Sequence, residues 1–214
     1  GAAALCDGSA DPWRRVWRRE LMTMTTHSID ITLLPDPEFS HAHLLGALVA
    51  KLHRALVQLG AEDIGVSFPQ HVNAPLSKRT LGAVLRLHGT PTALQRLTTL
   101  QWLQGMRDHT KVSALNPVPP HAQHRTVRRR QFKTNAERLR RRRMQRKSET
   151  AEQAAEAIPD SVERKPNLPY VQLRSSSTGQ PFSLFVEHGP LEPAAAVGCF
   201  NAYGLSSGTT VPWF

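Results

Sequence analysis

The sequence predicts an α+β protein. Three observations support this: a strand-helix-strand-strand-helix-strand succession in the first half, an arginine-dense segment with a helix-start signature after it, and short strands between glycine-bearing turns to the end. The first strand is IDITLL (29–34), which alternates with the period of two of a half-buried strand and stops at Pro35-Asp36-Pro37. Next comes HAHLLGALVAKLHRALVQLG (41–60), with Leu44, Leu45, Leu48, Val49, Leu52, Leu56 and Leu59 at helical spacing and Gly60 as its stop. DIGVSFP (63–69) and LGAVLRLHG (81–89) read as the second and third strands. TPTALQRLTTL (90–100) reads as a helix capped by Thr90 with Pro91 in its first turn, and TKVSALNPV (110–118) as the fourth strand. This order is that of the ferredoxin-like (RRM-like) split unit, which is shared by RNA-binding modules and by many unrelated proteins.

NPVPPHAQ (116–123) marks a boundary, dividing the chain into a ferredoxin-like domain at 26–118 and a C-terminal part at 119–214. After it, Thr134 and Glu137 form a capping-box pattern that starts a helix running from about 135 to 147. SETAEQAAEAI (148–158) is a polar helix ended by Pro159, and strands follow at 168–175, 180–188 and 199–206. Residues 1–25 are read as an upstream extension outside the fold; WRRVWRRE (13–20) is either a short amphipathic helix or a disordered tail.

Charge is concentrated rather than spread. The 214 residues carry 27 Lys and Arg against 17 Asp and Glu, for a formal +10. Residues 125–147 alone hold twelve Lys and Arg and one acid, so the remaining body is nearly neutral. A single basic device on a neutral body points to a polyanionic partner. Cys6 and Cys199 are the only cysteines, too few for a zinc ribbon or a disulfide framework. No apolar run approaches the roughly 18 to 20 residues of a membrane span, and the expectation is a soluble, cytoplasmic protein.

On the 135–147 helix, Arg138, Arg140, Arg141, Arg142, Arg143 and Arg146 occupy nearly every direction and leave no broad apolar face. Such a helix repels itself unless an anion is near, and a guanidinium fork suits phosphate or a guanine edge. Nucleic-acid recognition is one reading; a solvated helix, a localisation signal or a basic arm are the others. Arg129 and Gln131 stand on alternate positions of an extended segment, so both can face the same way.

Eight stretches then combine: PDPEF (35–39), KLHRAL (51–56), IGVSFP (64–69), NAERLRRRR (135–143), LRSSSTGQPF (173–182), HGPL (188–191), YGLS (203–206) and VPWF (211–214). In this order, from about residue 28 onward, they closely resemble the type I-F CRISPR repeat-processing endoribonuclease, the Csy-type branch of the Cas six family. The resemblance implies a ferredoxin-like domain followed by a part bearing an arginine-rich RNA-binding helix. It implies an enzyme that recognises the CRISPR repeat stem-loop and cleaves precursor crRNA at the base of the hairpin. The ribose 2′-hydroxyl attacks, leaving a 2′,3′-cyclic phosphate and a 5′-hydroxyl, with no metal and no cofactor. The enzyme then keeps its product as a subunit of the type I-F surveillance complex, beside the helical backbone protein.

By position, the resemblance makes His53 the catalytic histidine, Ser175 the serine that positions the attacking nucleotide and Tyr203 the tyrosine that orients the histidine. An imidazole suits the task because such rings titrate near neutral pH. Arg129 and Gln131 match base readers near the foot of the stem, and Arg142 a reader of guanine near the loop. Arg138, Arg141 and Arg146 match phosphate contacts, Ser177 a ribose or phosphate contact, and Phe182 a ring that stacks on the terminal base pair. Ala136, Gln145 and Lys147 depart from the family pattern.

Without the resemblance, His53 reads equally as a partly buried core histidine, Ser175 as a turn hydroxyl and Tyr203 as a strand aromatic. Two other functions stay open: a non-catalytic hairpin RNA-binding subunit of the same complex, and a ribosomal-type or DNA-binding basic protein. The histidine pair His41 and His43 is spaced too weakly for a metal site.

Overall fold

The computed structural model describes residues 25–131, 136–159, 167–175 and 177–214, with the backbone alone for 136–138. The readings of residues 13–20, of Thr134 and of the Glu137 side chain lie outside the described residues. The described elements are β1 (His27–Leu33), α1 (His41–Leu59), β2 (Gly65–Ser67), β3 (Val84–Gly89), α2 (Pro91–Thr99), a 3-10 turn (Arg107–His109), β4 (Thr110–Val112) and β5 (Asn116–Pro117). They continue with β6 (Gln123–Arg130), α3 (Ala136–Lys147), α4 (Ala151–Ala157), β7 (Tyr170–Arg174), β8 (Pro181–His188) and β9 (Thr210–Trp213). None of the described helices is long and apolar enough to cross a membrane.

The strands form two antiparallel sheets. The first runs β2-β3-β1-β4 with β5 also on β1, and the second runs β7-β8-β6-β9. The helix ends follow the capping chemistry read from the sequence. Ser40 accepts from the His43 N–H, Gly60 takes the left-handed conformation with φ 57°, and Thr90 accepts from the Ala93 N–H. Thr150 and Gln153 close a reciprocal capping box on α4.

Helix α1 has two faces with different duties. Leu44, Leu45, Leu48, Val49, Leu52, Ala55 and Leu56 are buried in the core. Gly46, Ala50, His53 and Val57 recur at i, i+4, i+7 and i+11 on the opposite side. Gly46 is buried against β7: a Cβ there would stand 2.7 Å from the Gln172 carbonyl oxygen. A mid-helix glycine forgoes about 1 kcal/mol of helix propensity relative to alanine, and here it permits α1 to lie directly on the second sheet. The core is accordingly continuous, with Ile31, Leu48, Leu85 and Leu94 in one cluster with Val127, Leu184, Val186 and Val211.

The segment 199–206, expected as a strand, is a tight turn. Asn201 Oδ1 accepts from the N–H groups of Tyr203 and Leu205, at 2.8 and 3.2 Å, so a side chain replaces the ladder partner a strand would need. Gly204 is left-handed at φ 70°, and a Cβ on it would collide with Val66 Cγ2. The turn is tied down by Phe200 N–H to Glu62 O (2.9 Å), Val66 N–H to Gly204 O (2.8 Å) and Ser206 N–H to Val127 O (2.9 Å).

Other expectations change as well. The strand expected over 110–118 is interrupted, because Ser113 takes over the pairing with Asp30: its hydroxyl accepts from Asp30 N–H and its own N–H donates to Asp30 O. The extended linker around Arg129 is the eight-residue strand β6, and the terminal VPW is strand β9 against it.

Two histidines are held neutral by burial. His88 on β3 is fully buried, bonded to Ser67 Oγ at 2.8 Å, and desolvation with Arg86 nearby pushes it down to about 3. His188 on β8 stacks on His71 at 3.6 Å, and burial together with His71 and Arg125 pushes it down to about 2. Unfolded, each ring binds a proton below its ordinary value of 6.5, whereas the folded rings refuse it. Stability is therefore complete above about pH 6.5 and falls as pH drops towards 3. Denaturant titrations across this range will show that decline, and His88→Gln will reduce its slope by about one proton. Gly204→Ala will cost about 1 to 3 kcal/mol in urea unfolding at neutral pH, because the alanine must be both left-handed and fitted against Val66.

Candidate functional site

The outer stripe of α1 forms one wall of a cleft of about 540 Å³, through Ala50, His53, Arg54, Val57 and Gln58. The remaining lining comes from Leu173, Arg174 and Ser175 at the end of β7, Phe182 at the start of β8, Arg129 near the end of β6, and Tyr203 in the turn. The fold thus brings together five residues singled out in the sequence: His53, Ser175, Tyr203, Arg129 and Phe182. They come from three elements (α1, β6 and β8) and two turns, up to 150 positions apart in the chain.

His53 is fixed from two sides. Its Nδ1 lies 2.8 Å from the Ala202 carbonyl oxygen. A carbonyl oxygen only accepts, so Nδ1 carries the hydrogen and Nε2 of the neutral ring keeps the lone pair. Tyr203 covers the ring face, with centroids 4.1 Å apart and planes 6° from parallel. The same turn therefore supplies both the tautomer and the orientation. Asn201 and Ala202 went unnoticed in the sequence, since a backbone carbonyl leaves no mark there and an Asn-to-Gly spacing of three is common in turns.

Arg129 extends the stack. Its guanidinium lies 5.7 Å from the Tyr203 ring centre and 5.8 Å from that of Phe182. Its neighbours on β6 point to the opposite face, where Arg128 binds both oxygens of Glu187 and Arg130 meets one at 3.0 Å. Those bonds hold the Glu187 carboxyl below its usual range, the hydrogen bond from Arg128 contributing most. Gln131 is exposed one residue beyond the strand, and the structure does not bring it into the cleft.

Ser175 opens the turn between β7 and β8. Its Oγ lies 3.1 Å from Ser177 Oγ and accepts from the Thr178 N–H at 3.3 Å, while Gly179 N–H closes the turn on Ser175 O at 2.8 Å. Ser177 is exposed beside it.

Helix α3 is sorted in a comparable way. Arg140 donates to the Ile158 carbonyl and Arg143 to both Glu149 oxygens, which fastens one side of α3 to α4 and its flanks. Arg141, Arg142 and Arg146 are exposed on the other side. The helix therefore has a protein-facing side built of polar bonds, where its composition had suggested none; the Arg138 side chain lies outside the described residues. No group of three or more potential metal ligands occurs among the described residues.

The profile of the family described as CRISPR-associated protein (Cas_Csy4) matches residues 28–214. The chain is 48% identical over 188 residues to the CRISPR-associated endonuclease Cas6/Csy4 of Pseudomonas aeruginosa (strain UCBPP-PA14), covering 88% of this chain and 99% of that protein. It is 44% identical over the same length to the CRISPR-associated endonuclease Cas6/Csy4 of Escherichia coli (strain UTI89 / UPEC), with the same coverage of each. Among solved structures it is similar to an RAMP protein binding different RNA substrates, at 10% identity and TM-score 0.32 over 88% of this chain and 99% of that one, too distant to bear on the fold. With the profile spanning residues 28–214 and two relatives matched almost end to end, the chain belongs to the Cas_Csy4 family of CRISPR-associated proteins.

Proposed function

We propose that this chain is a CRISPR repeat-specific endoribonuclease that processes precursor crRNA, and that the reaction takes place in the cleft around His53. One observation carries the placement: His53 is held through Nδ1 by the Ala202 carbonyl and stacked on Tyr203, which leaves Nε2 as a base in a cleft without a carboxylate among its described lining residues. The names of the family relatives support the activity itself.

In the proposed reaction, His53 Nε2 removes the proton of the 2′-hydroxyl upstream of the scissile phosphate. The 2′-oxygen forms its bond to phosphorus as the bond to the 5′-oxygen breaks, and that oxygen takes up a proton from the imidazolium or from water. The products are a 2′,3′-cyclic phosphate and a 5′-hydroxyl, with no oxidant, metal or cofactor in the balance. Ser175, with Ser177 at its side, positions the attacking ribose, and Tyr203 keeps the imidazole plane in line. Phe182 offers a stacking face for the terminal base pair, and Arg129 with Gln131 reads bases at the foot of the stem.

The exposed side of α3 holds the stem, Arg142 towards a guanine near the loop and Arg141 and Arg146 towards phosphates, with Arg138 proposed as a further phosphate contact. The sorting of Arg140 and Arg143 onto α4 supports this, because it leaves Arg141, Arg142 and Arg146 together. The first sheet's order, with β1 and β3 central and a helix in each crossover, supports a ferredoxin-like unit at 26–118, with RNA recognition at 119–214. The protein then keeps the cut hairpin in the cytoplasm as a subunit of the type I-F complex.

A labelled repeat hairpin incubated with the protein in EDTA will be cut once at its base, and His53→Ala will lose cutting by at least about 10²-fold while still binding the hairpin. A 2′-deoxy substitution at the attacking nucleotide will block cutting by the unaltered protein. Arg142→Ala will cost about 1 to 3 kcal/mol of binding and relax preference at one base pair. Arg141→Ala will weaken all hairpins similarly and lower the slope of log affinity against log salt by about 1.

A further inference from the structure

Two arginines of the cleft are left over by the proposed chemistry. Arg54 follows His53 on the outer stripe of α1, and Arg174 precedes Ser175 at the end of β7. Both are exposed, and neither has a hydrogen-bond or ion-pair partner among the described residues. Several other arginines of the body are occupied. Arg86 grips Asp30, Arg96 grips Asp63, Arg128 and Arg130 share Glu187, and Arg125 donates to the Gly189 carbonyl. Lys51, three residues before Arg54, donates to the Gln104 carbonyl.

The electrostatics are one-sided. Three guanidiniums, from Arg54, Arg129 and Arg174, line the cleft, and among the described residues its lining includes no Asp or Glu. Arg129 packs its guanidinium against two aromatic rings and is the proposed base reader, which leaves Arg54, on the α1 wall, and Arg174, on the β7 wall, as the cleft cations without a role. Phosphoryl transfer places added negative charge on the non-bridging oxygens as the 2′-oxygen attacks, and pre-positioned donors act best on such developing charge. A guanidinium meets two of those oxygens with parallel N–H bonds, which a point cation cannot do.

We infer that Arg54 and Arg174 are further catalytic residues of the RNA cleavage reaction, donating from the two walls of the cleft to the non-bridging oxygens of the scissile phosphate. This rests on the reading of the His53 cleft as the site of cleavage. The pair contributes more as the phosphorane-like transition state forms than it does to holding the hairpin, whose grip comes from α3. No proton moves through either arginine; they offset charge while His53 handles the proton.

The test is single-turnover cleavage of the repeat hairpin at saturating protein, with Arg54→Ala, Arg174→Ala and the corresponding lysine variants, beside His53→Ala. The expected result is a loss of about 10²-fold in rate for each alanine variant, partial recovery with lysine, and affinity for the 2′-deoxy hairpin unchanged within about threefold. A sulfur in place of one non-bridging oxygen will slow the unaltered protein and slow the alanine variant of its partner arginine much less. An unchanged saturated rate with weakened affinity would overturn the inference, as would a sulfur effect that persists undiminished in both alanine variants. If an alanine variant fails to bind the 2′-deoxy hairpin, the lysine variant carries the same rate and sulfur comparisons. Cutting by His53→Ala at the unaltered rate would instead sink the reading of the cleft itself.

Discussion

Helix α1 lying directly on strand β7 is the contact on which both the fold and the cleft depend. Gly46 allows it, since any side chain there would meet the Gln172 carbonyl. Once the helix is seated, its leucine face completes the core under the first sheet and its other face, through Ala50, His53 and Arg54, stands beside the end of β7. The same burial that stabilises the helix therefore sets the position of the histidine. A shift of the helix by one turn, about 5.4 Å, would separate His53 from Ala202 and Tyr203 and leave neither the tautomer nor the ring plane fixed.

Arginine is used in this molecule by selective neutralisation. Alternate residues of β6 face opposite ways, so Glu187 engages Arg128 and Arg130 while Arg129 remains on the cleft side. On α3, Glu149 and the Ile158 carbonyl engage Arg143 and Arg140 and leave Arg141, Arg142 and Arg146 exposed. In each case the acceptors decide which cations stay available to a polyanion. The value of these exposed pairs to stability is small, of the order of 1 kcal/mol or less; their greater effect is to fix direction.

Much of the scaffold was legible in the sequence because local chemistry determined it. The leucine period of α1, the Thr90-Pro91 start of α2 and the alternation of β1 each belong to a segment that carries its own signal. Strands β6 and β9 were not legible. β6 is built of arginines whose pairing depends on Glu187 and Gly189, some sixty residues away, and β9 acquires its partner only when the chain closes on β6. The turn at 199–206 misled for a related reason: its aromatic and apolar residues suit a strand, and only the Asn201 side chain and the left-handed Gly204 reveal the bend. His53 had no local signature beyond its place opposite the leucines, so its proposed role rests on the resemblance, while its tautomer is set only by the fold. Arg54 and Arg174 were not singled out, because a free arginine is distinguished from a paired one by what surrounds it in space.

The fold presents His53 with its hydrogen on Nδ1 and its lone pair on Nε2. Nitrogen NMR of the protein labelled at histidine nitrogens, with His53→Gln used to assign the resonance, measures this directly. The neutral His53 ring will show a protonated Nδ1 and an unprotonated Nε2, with the pattern lost when Gly204→Ala displaces the turn. A neutral ring carrying its hydrogen on Nε2 would rule out His53 as the base, since the nitrogen proposed to take the 2′-hydroxyl proton would then have no lone pair to receive it.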